Sequence, residues 1–263
     1  MTFQLERLLA RATQDPREES AFFRALLKAT VYAHSSSTDR LDIHADRIRF
    51  VQFPRPDNGQ LVLPFFTDEK KASFAASSAV RILALKGRHL LELTRGATLM
   101  LNPNDTPCIL YPEEVDALLR TGCIARIEKF TVEEGTAPLV GPPMSDPPSW
   151  LIDALITALA KLPFIQLAYI AGLYKRTEEP RQTGFLIAIG GDQQDAERAI
   201  HAVTVFLQPL CQQHDGPAVD MTHFDAAAGE VPEWVSTFSL APFYDRAWGA
   251  RLNLNGDQAP SPI

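Results

Sequence analysis

Five prolines crowd one short stretch, and they limit this chain more than any other feature. Pro138, Pro142, Pro143, Pro147 and Pro148 lie between Glu133 and Pro148, among Gly, Ser and acidic residues. Proline lacks a backbone N–H and locks φ, so prolines this dense feed neither a helix nor a central strand. The stretch reads as an extended, fairly stiff linker. It divides the chain into a first domain over 1–132 and a second over 149–252. The last residues, 253–263, read as a disordered tail. A chain of 263 residues that is 46% hydrophobic can give each half a core.

Hydrophobic spacing and turn residues sketch both halves. Leu5, Leu8, Leu9 and Ala12 recur at helical spacing. Asp15-Pro16-Arg17-Glu18 opens a second helix with a capping box, and Phe22, Phe23, Leu26 and Leu27 form its apolar stripe. Strands are expected over Thr30–Ala33, Arg47–Phe53 and Leu61–Phe66, with Asp57-Asn58-Gly59 as a hairpin turn. Thr67 is expected to cap a helix running to Ser77. A strand over Val80–Leu85, a helix over His89–Arg95, strands over Thr98–Leu101 and Cys108–Tyr111, and a helix over Pro112–Thr121 follow. Cys123 leads into a further strand pattern. In the second half Ser149 is expected to cap a helix. Strands over Phe164–Tyr174 and Thr183–Ile189, a helix ending near Leu207, a strand over Ala218–Phe224 and a short helix over Pro232–Ser239 complete it. Hairpins outnumber crossovers, so the expected class is α+β: two domains with small mixed sheets flanked by helices.

Composition excludes several functions. The formal net charge is −7 and the pI about 5.4. Without a Lys/Arg cluster there is no counterion release to drive nucleic-acid binding and no attraction to anionic lipid. No stretch approaches the ~18–20 apolar residues that a membrane span requires. The amphipathic start, with Glu6, Arg7 and Arg11 among leucines, does not read as a secretory signal. Cys108, Cys123 and Cys211 are too few and odd in number for a disulfide framework, which points to a reducing, cytoplasmic setting.

Chemistry-bearing patterns are sparse. Gly190-Gly191-Asp192 sits where phosphate loops occur, but it lacks the Lys-Ser/Thr of a P-loop, and Asp192, Asp195 and Glu197 would repel a phosphate. His89 with Glu92, Cys211 with His214 and Asp220 with His223 are each half of a metal site without a second half nearby. No nucleophile elbow is present. Glu113, Glu114 and Asp116 crowd a helix start, where carboxylates favour the helix dipole. No catalytic residue, cofactor site or metal site is therefore assigned.

Two aromatic segments remain. One is Pro64-Phe65-Phe66-Thr67; the other is Phe243-Tyr244-Asp245-Arg246 with Trp248. Adjacent phenylalanines on a strand point to opposite faces, so one is exposed unless both faces are covered. The second segment combines residue types enriched at binding hot spots, with an arginine able to lie across a ring. Pro64, Phe65, Phe66, Phe243, Tyr244, Asp245, Arg246 and Trp248 are thus the candidate partner-binding residues, and another protein or peptide the expected partner.

These residues also carry a family resemblance. Ala21-Phe22-Phe23-Arg24-Ala25-Leu26-Leu27 and Leu63-Pro64-Phe65-Phe66-Thr67 are two of its blocks. Leu93-Thr94 through Thr98-Leu99 to Leu101-Asn102, and Ala241-Pro242-Phe243-Tyr244 with Arg246 and Trp248-Gly249, are the others. In these blocks, from Leu5 to about Gly249, the chain resembles the SseB, or enhanced serine sensitivity, family. The resemblance implies an N-terminal and a C-terminal SseB domain. It brings no agreed catalytic residues, and its name reflects serine sensitivity caused by excess protein. A non-enzymatic cytoplasmic binding or regulatory protein is the leading expectation. An enzyme or small-molecule sensor with a site at the domain junction, and a secretion- or immunity-linked adaptor, are the alternatives.

Overall fold

The computed structural model describes residues 2–36, 48–76, 80–105, 107–124, 139–175 and 181–248. The expected strand after Cys123 and the tail over 253–263 lie outside the described residues. The chain divides into two compact units, Met1–Arg126 and Ile127–Ile263, and each is α+β with a mixed sheet.

In the first unit, helices α1 (Thr2–Gln14) and α2 (Glu19–Lys28) precede strands β1 (Thr30–Ser36), β2 (Phe53–Pro54) and β3 (Leu61–Phe66). Then come α3 (Glu69–Ala75), β4 (Val80–Lys86), α4 (Gly87–Leu93), β5 (Leu99–Leu101), β6 (Cys108–Leu110) and α5 (Pro112–Thr121). The strand order is β4-β1-β3-β5-β6, with β2 paired to the start of β3. The β3–β5 pair is parallel and the others are antiparallel.

Period-two alternation assigns the two faces of this sheet. Val31, Ala33, Leu63, Phe65, Leu99, Leu101 and Leu110 point into a core shared with α1, α2, α4 and α5. Phe22 and Phe23 of α2 meet edge to face at 5.0 Å inside it. Each such side chain, fully buried, contributes about 1.5–3 kcal/mol. The alternate residues His34, Pro64, Phe66, Met100 and Ile109 belong to the opposite face.

The local signals hold with some displacement. Asp57-Asn58-Gly59 turns the β2–β3 hairpin, with Gly59 at φ 73°. Of the expected strand over Arg47–Phe53, Phe50 makes a single bridge to Ser35 before β2. Pro54, with no N–H to give, ends that ladder. Asp15 accepts from the Arg17 N–H at 2.9 Å and starts a 3₁₀ turn, with α2 following from Glu19. Asp68, not Thr67, caps α3, accepting from the Lys71 N–H at 2.9 Å.

Thr67 has a different partner set, because its own N–H and hydroxyl are buried at the end of β3. Its N–H donates to Asn102 Oδ1 at 3.1 Å, and its hydroxyl bonds Glu6. Lys71 joins Glu6 at 2.8 Å and Asp105 at 2.9 Å, tying α1, α3 and the 102–105 turn together.

The second unit holds β7 (Leu139–Gly141), α6 (Ser149–Ala160), β8 (Ile165–Lys175), β9 (Arg181–Gly191), α7 (Ala196–Gln213), β10 (Ala218–Asp225), α8 (Glu233–Phe238) and β11 (Tyr244–Asp245). Its strand order is β10-β9-β8-β11, with β7 also on β8. The segment read as a linker therefore contributes a strand. Pro138 and Pro142 bracket three residues that keep their N–H groups, and these pair antiparallel with β8 at Gly172–Tyr174. Ser149 is the first residue of α6, and Pro148 occupies the cap position without a side-chain bond. Helix α7 runs past Leu207 and through Pro209 to Gln213, because Leu210 and Cys211 still pack on the core.

Helices α6 and α7 cover one face of this sheet, over Ala168, Ile170, Phe185, Ile187 and Ile189. The other face carries Tyr169, Ala188 and Phe224, closed by Val235 of α8 with Trp234 and Leu240 against it. Gly190 and Gly191 end β9, and a Cβ on Gly190 would lie 2.2 Å from the Phe224 ring. Asp192 then accepts from the Gln194 N–H at 2.9 Å. This corner is a packed, capped turn.

Candidate functional site

The short helix α3 covers only part of the second face of the N-terminal sheet, with Ala72 buried against His34 and Ala75 at the edge of what stays open. The face is hollow, and the hollow is a cavity of about 640 Å³. Its floor comes from the sheet: His34 of β1, Pro64 and Phe66 of β3, Met100 of β5 and Ile109 of β6. Val51, Phe53, Arg55 and Asp57 from the β2–β3 hairpin and its approach line it as well. Pro56, Pro103 and Pro107 are also in the lining. With φ fixed at each, these walls lose little further freedom when something binds.

Two polar side chains are buried against this apolar lining. His34 is 4% exposed. One ring nitrogen, Nε2, lies 2.9 Å from the Ala72 carbonyl, and the ring meets Phe66 at a tilt of 41° with centroids 5.0 Å apart. A carbonyl only accepts, so Nε2 carries the hydrogen and donates it. Arg55 is 8% exposed. Its Nε donates to Asp57 Oδ1 at 3.0 Å, its Nη2 donates to the other carboxylate oxygen, and its Nη1 donates to the Tyr111 hydroxyl at 3.3 Å. Those bonds hold the Asp57 carboxyl below the usual carboxylate range. The guanidinium is thus charge-balanced within a mainly apolar hollow, which is the composition of a ligand pocket.

The candidate residues from sequence divide between this cavity and the two cores. Pro64 and Phe66 line the cavity. Phe65, on the other face, belongs to the helix-covered core. Both faces of β3 are therefore occupied, and both phenylalanines are 1% exposed.

The second aromatic segment does not present its rings. Phe243 and Tyr244 are 1% and 2% exposed and complete the core beneath α6, because Tyr244 pairs with Ala168 in the sheet. Arg246 lies across the Tyr244 ring at 5.8 Å. Its guanidinium donates to the carbonyls of Leu159 at 3.0 Å, Leu162 at 2.6 Å and Ile165 at 2.6 Å. Those carbonyls lie at the end of α6 and the turn after it, where those of Leu159 and Leu162 also accept the N–H groups of Leu162 and Ile165 at 3.0 Å, so Arg246 adds a side-chain clamp to that turn. Asp245 accepts from the Ala247 N–H at 2.8 Å. The side chain of Trp248 lies outside the described residues. Phe243 and Tyr244 are thus packed inside the second domain, while Asp245 and Arg246 are partly exposed.

His34, Arg55, Asp57, Met100 and Ile109 escaped the sequence reading. Their signal was the same alternation that separates Phe65 from Phe66, carried across strands whose neighbours are not sequential.

Other groups contribute no comparable site. Burial, then the carboxylates of Glu114 and Glu19, push the Cys108 thiol up to about 12, which makes it a packing group. His214 stacks on Trp150 at 4.7 Å. Among the described residues, no group of three or more His, Cys, Asp and Glu is placed to hold a metal ion, and no helix is long and apolar enough to cross a membrane. A smaller hollow of about 260 Å³ in the second unit is lined by Asp146, Gln182, Thr183 and Pro217 among others.

Comparison with known proteins places both halves. Residues 5–117 match the SseB protein N-terminal domain, and residues 132–246 match the SseB protein C-terminal domain. The chain is 28% identical over 258 residues to Protein SseB of Escherichia coli (strain K12), covering 95% of this chain and 94% of that protein. It matches Protein SseB of Shigella flexneri to the same extent. No solved structure matches the chain.

Proposed function

The chain belongs to the SseB family, and from that premise we propose that it is a non-enzymatic cytoplasmic binding protein that docks a partner polypeptide in the cavity of its N-terminal domain. The observation that carries this reading is the apolar hollow of about 640 Å³ with His34 and Arg55 buried at its wall. Such a hollow accommodates a few apolar side chains and gives directional hydrogen bonds to a bound backbone. The described lining is mainly apolar, a composition that suits gripping. The cysteines Cys108, Cys123 and Cys211 are free thiols, in keeping with a reducing compartment.

The test fills the hollow. Met100→Trp places an indole where an apolar group of the partner would sit. Wild-type protein used as bait in native lysate is expected to retain a partner that the Met100→Trp variant loses, with the urea midpoint of both proteins alike. Equal retention by the two baits would falsify the reading.

A further inference from the structure

We infer that the group anchored in this hollow is a tryptophan of the partner chain, its indole N–H donating to His34 Nδ1. This rests on the cavity being the docking site proposed above. His34 borders the hollow from β1 and is only 4% exposed. Its Nε2 is engaged by the Ala72 carbonyl, which ties the ring to α3. The second ring nitrogen, Nδ1, bonds to no described residue. Among the described residues, the polar side-chain atoms sealed from the surface without a partner are Gln60 Oε1 and His223 Nε2. His34 Nδ1 is not one of them, so it keeps an opening, and the hollow is the space its ring borders. A side chain more than nine-tenths buried thus holds one unused hydrogen-bonding atom where a guest can reach it.

The chemistry of that atom selects the guest. With the hydrogen on Nε2, the Nδ1 of a neutral imidazole carries a lone pair that only a donor satisfies. Around it stand Val51, Phe53, Phe66, Met100 and Ile109, an apolar wall. Hydroxyl and amide donors each bring an acceptor oxygen as well, and an apolar wall leaves that oxygen unpaired at a cost. Indole is a donor only, on an otherwise large apolar surface. It satisfies His34 and calls on no second polar partner, while Phe53 and Phe66 offer rings for it to pack on. Tryptophan is the side chain that brings an indole, and it is enriched at the centres of interfaces.

Methionine methyl NMR at about pH 8, above the usual imidazole range, provides the test. Met100 is in the cavity lining, while Met144 and Met221 belong to the other unit and serve as internal references. The probes are skatole, which is the tryptophan side chain, N-methylskatole, in which a methyl replaces the donor hydrogen, and para-cresol, the tyrosine side chain. Skatole is expected to shift the Met100 methyl at about tenfold lower concentration than either of the others, the scale of one buried acceptor left unpaired. His34→Phe keeps a ring at this position and should bring the two indoles to equal concentrations; its retained response to N-methylskatole shows that the hollow still forms. In the wild type, the His34 Nδ1 nitrogen resonance should move with skatole and stay with N-methylskatole, a readout that needs no variant.

If the two indoles act equally on the wild type, the donor assignment is wrong and the docking site stands. If skatole keeps its preference in His34→Phe, the acceptor is not His34. If para-cresol matches skatole, the tryptophan assignment is wrong. If no probe moves Met100, the docking site itself is refuted.

Discussion

Replacing Arg246 with Ala removes a side-chain donor from three carbonyls, those of Leu159, Leu162 and Ile165; those of Leu159 and Leu162 keep the backbone donors Leu162 N–H and Ile165 N–H at 3.0 Å. A hydrogen bond from a charged donor contributes about 1.5–3 kcal/mol. The three bonds share one partly exposed guanidinium, and water can reach some of what is left, so they do not add. A loss of about 3 kcal/mol from the second domain is expected, more than a hundredfold in its unfolding equilibrium. Arg246→Lys should recover less than half of this, since an ammonium lacks the planar fork that spans separate carbonyls. Trp150, Trp234 and Trp248 all belong to the second unit, so tryptophan fluorescence in urea reports this domain alone. A midpoint for Arg246→Ala corresponding to less than about 0.5 kcal/mol, within the ordinary range of surface changes, would show that the backbone donors alone satisfy this turn and that Arg246 is free to bind elsewhere. With the expected result, any partner lost by an Arg246 variant is explained by the fold and does not map an interface.

Three other outcomes follow from the same reasoning. Gly190→Ala sets a Cβ 2.2 Å from the Phe224 ring; the ring is held in the cluster under α8, so the second domain should lose about 1–3 kcal/mol, read by the same fluorescence melt. Asn102→Ala leaves the buried Thr67 N–H without its acceptor and should destabilise the first domain by about 1–3 kcal/mol, seen as faster hydrogen exchange across β1, β3 and β5 with the second domain unchanged. Burial lowers the His223 pKa from its ordinary 6.5, against the partial opposition of Asp225, Asp192 and Glu230. The native state then binds fewer protons than the unfolded chain just below that value, so stability is full above about 6.5 and falls as pH drops through the lowered native pKa. His223→Gln should flatten the decline in the second domain's melting temperature between pH 7 and 5, and an unchanged slope would assign that decline to other groups.

Much of the fold was legible because its signals are local. Phe22, Phe23, Leu26 and Leu27 announce α2 by spacing alone, and Asp57-Asn58-Gly59 announces its hairpin. Gly122 stops α5 as read. Errors arose where a residue answers to distant partners. Thr67 looks like a cap, but Asn102 and Glu6, far away in sequence, claim its polar groups, and Asp68 caps in its place. Leu139–Gly141 reads as linker because its prolines dominate the composition, and only β8 supplies the edge that makes it a strand. The tail combined the residue types of a hot spot, yet Phe243, Tyr244 and Arg246 are what a terminal strand needs to fasten itself to α6 and β8. Composition alone does not separate an aromatic anchor facing outward from one facing inward. The cavity was half legible: Pro64 and Phe66 were in view, while His34 and Met100 reach it through the order β1-β3-β5, which alternation within one strand does not reveal, and Arg55 reaches it from the β2–β3 hairpin.

The contrast between the two sheets is what favours the proposed docking site. Each sheet has one face packed by helices and a second face that must also be kept from water. In the second unit α8 closes that face, and Phe224 presses so near the strand that only glycine fits at position 190. The first unit presents similar material, with Phe53, Phe66, Met100 and Ile109 on one surface, but covers it with the short helix α3, a hairpin and proline-bearing turns that leave about 640 Å³ unfilled. Protein interiors are close-packed, and a void lined with apolar groups forfeits dispersion energy that packing would supply. A fold that fills one such face and leaves the other hollow, with a buried arginine held by an exposed aspartate, carries that loss where a guest can recover it.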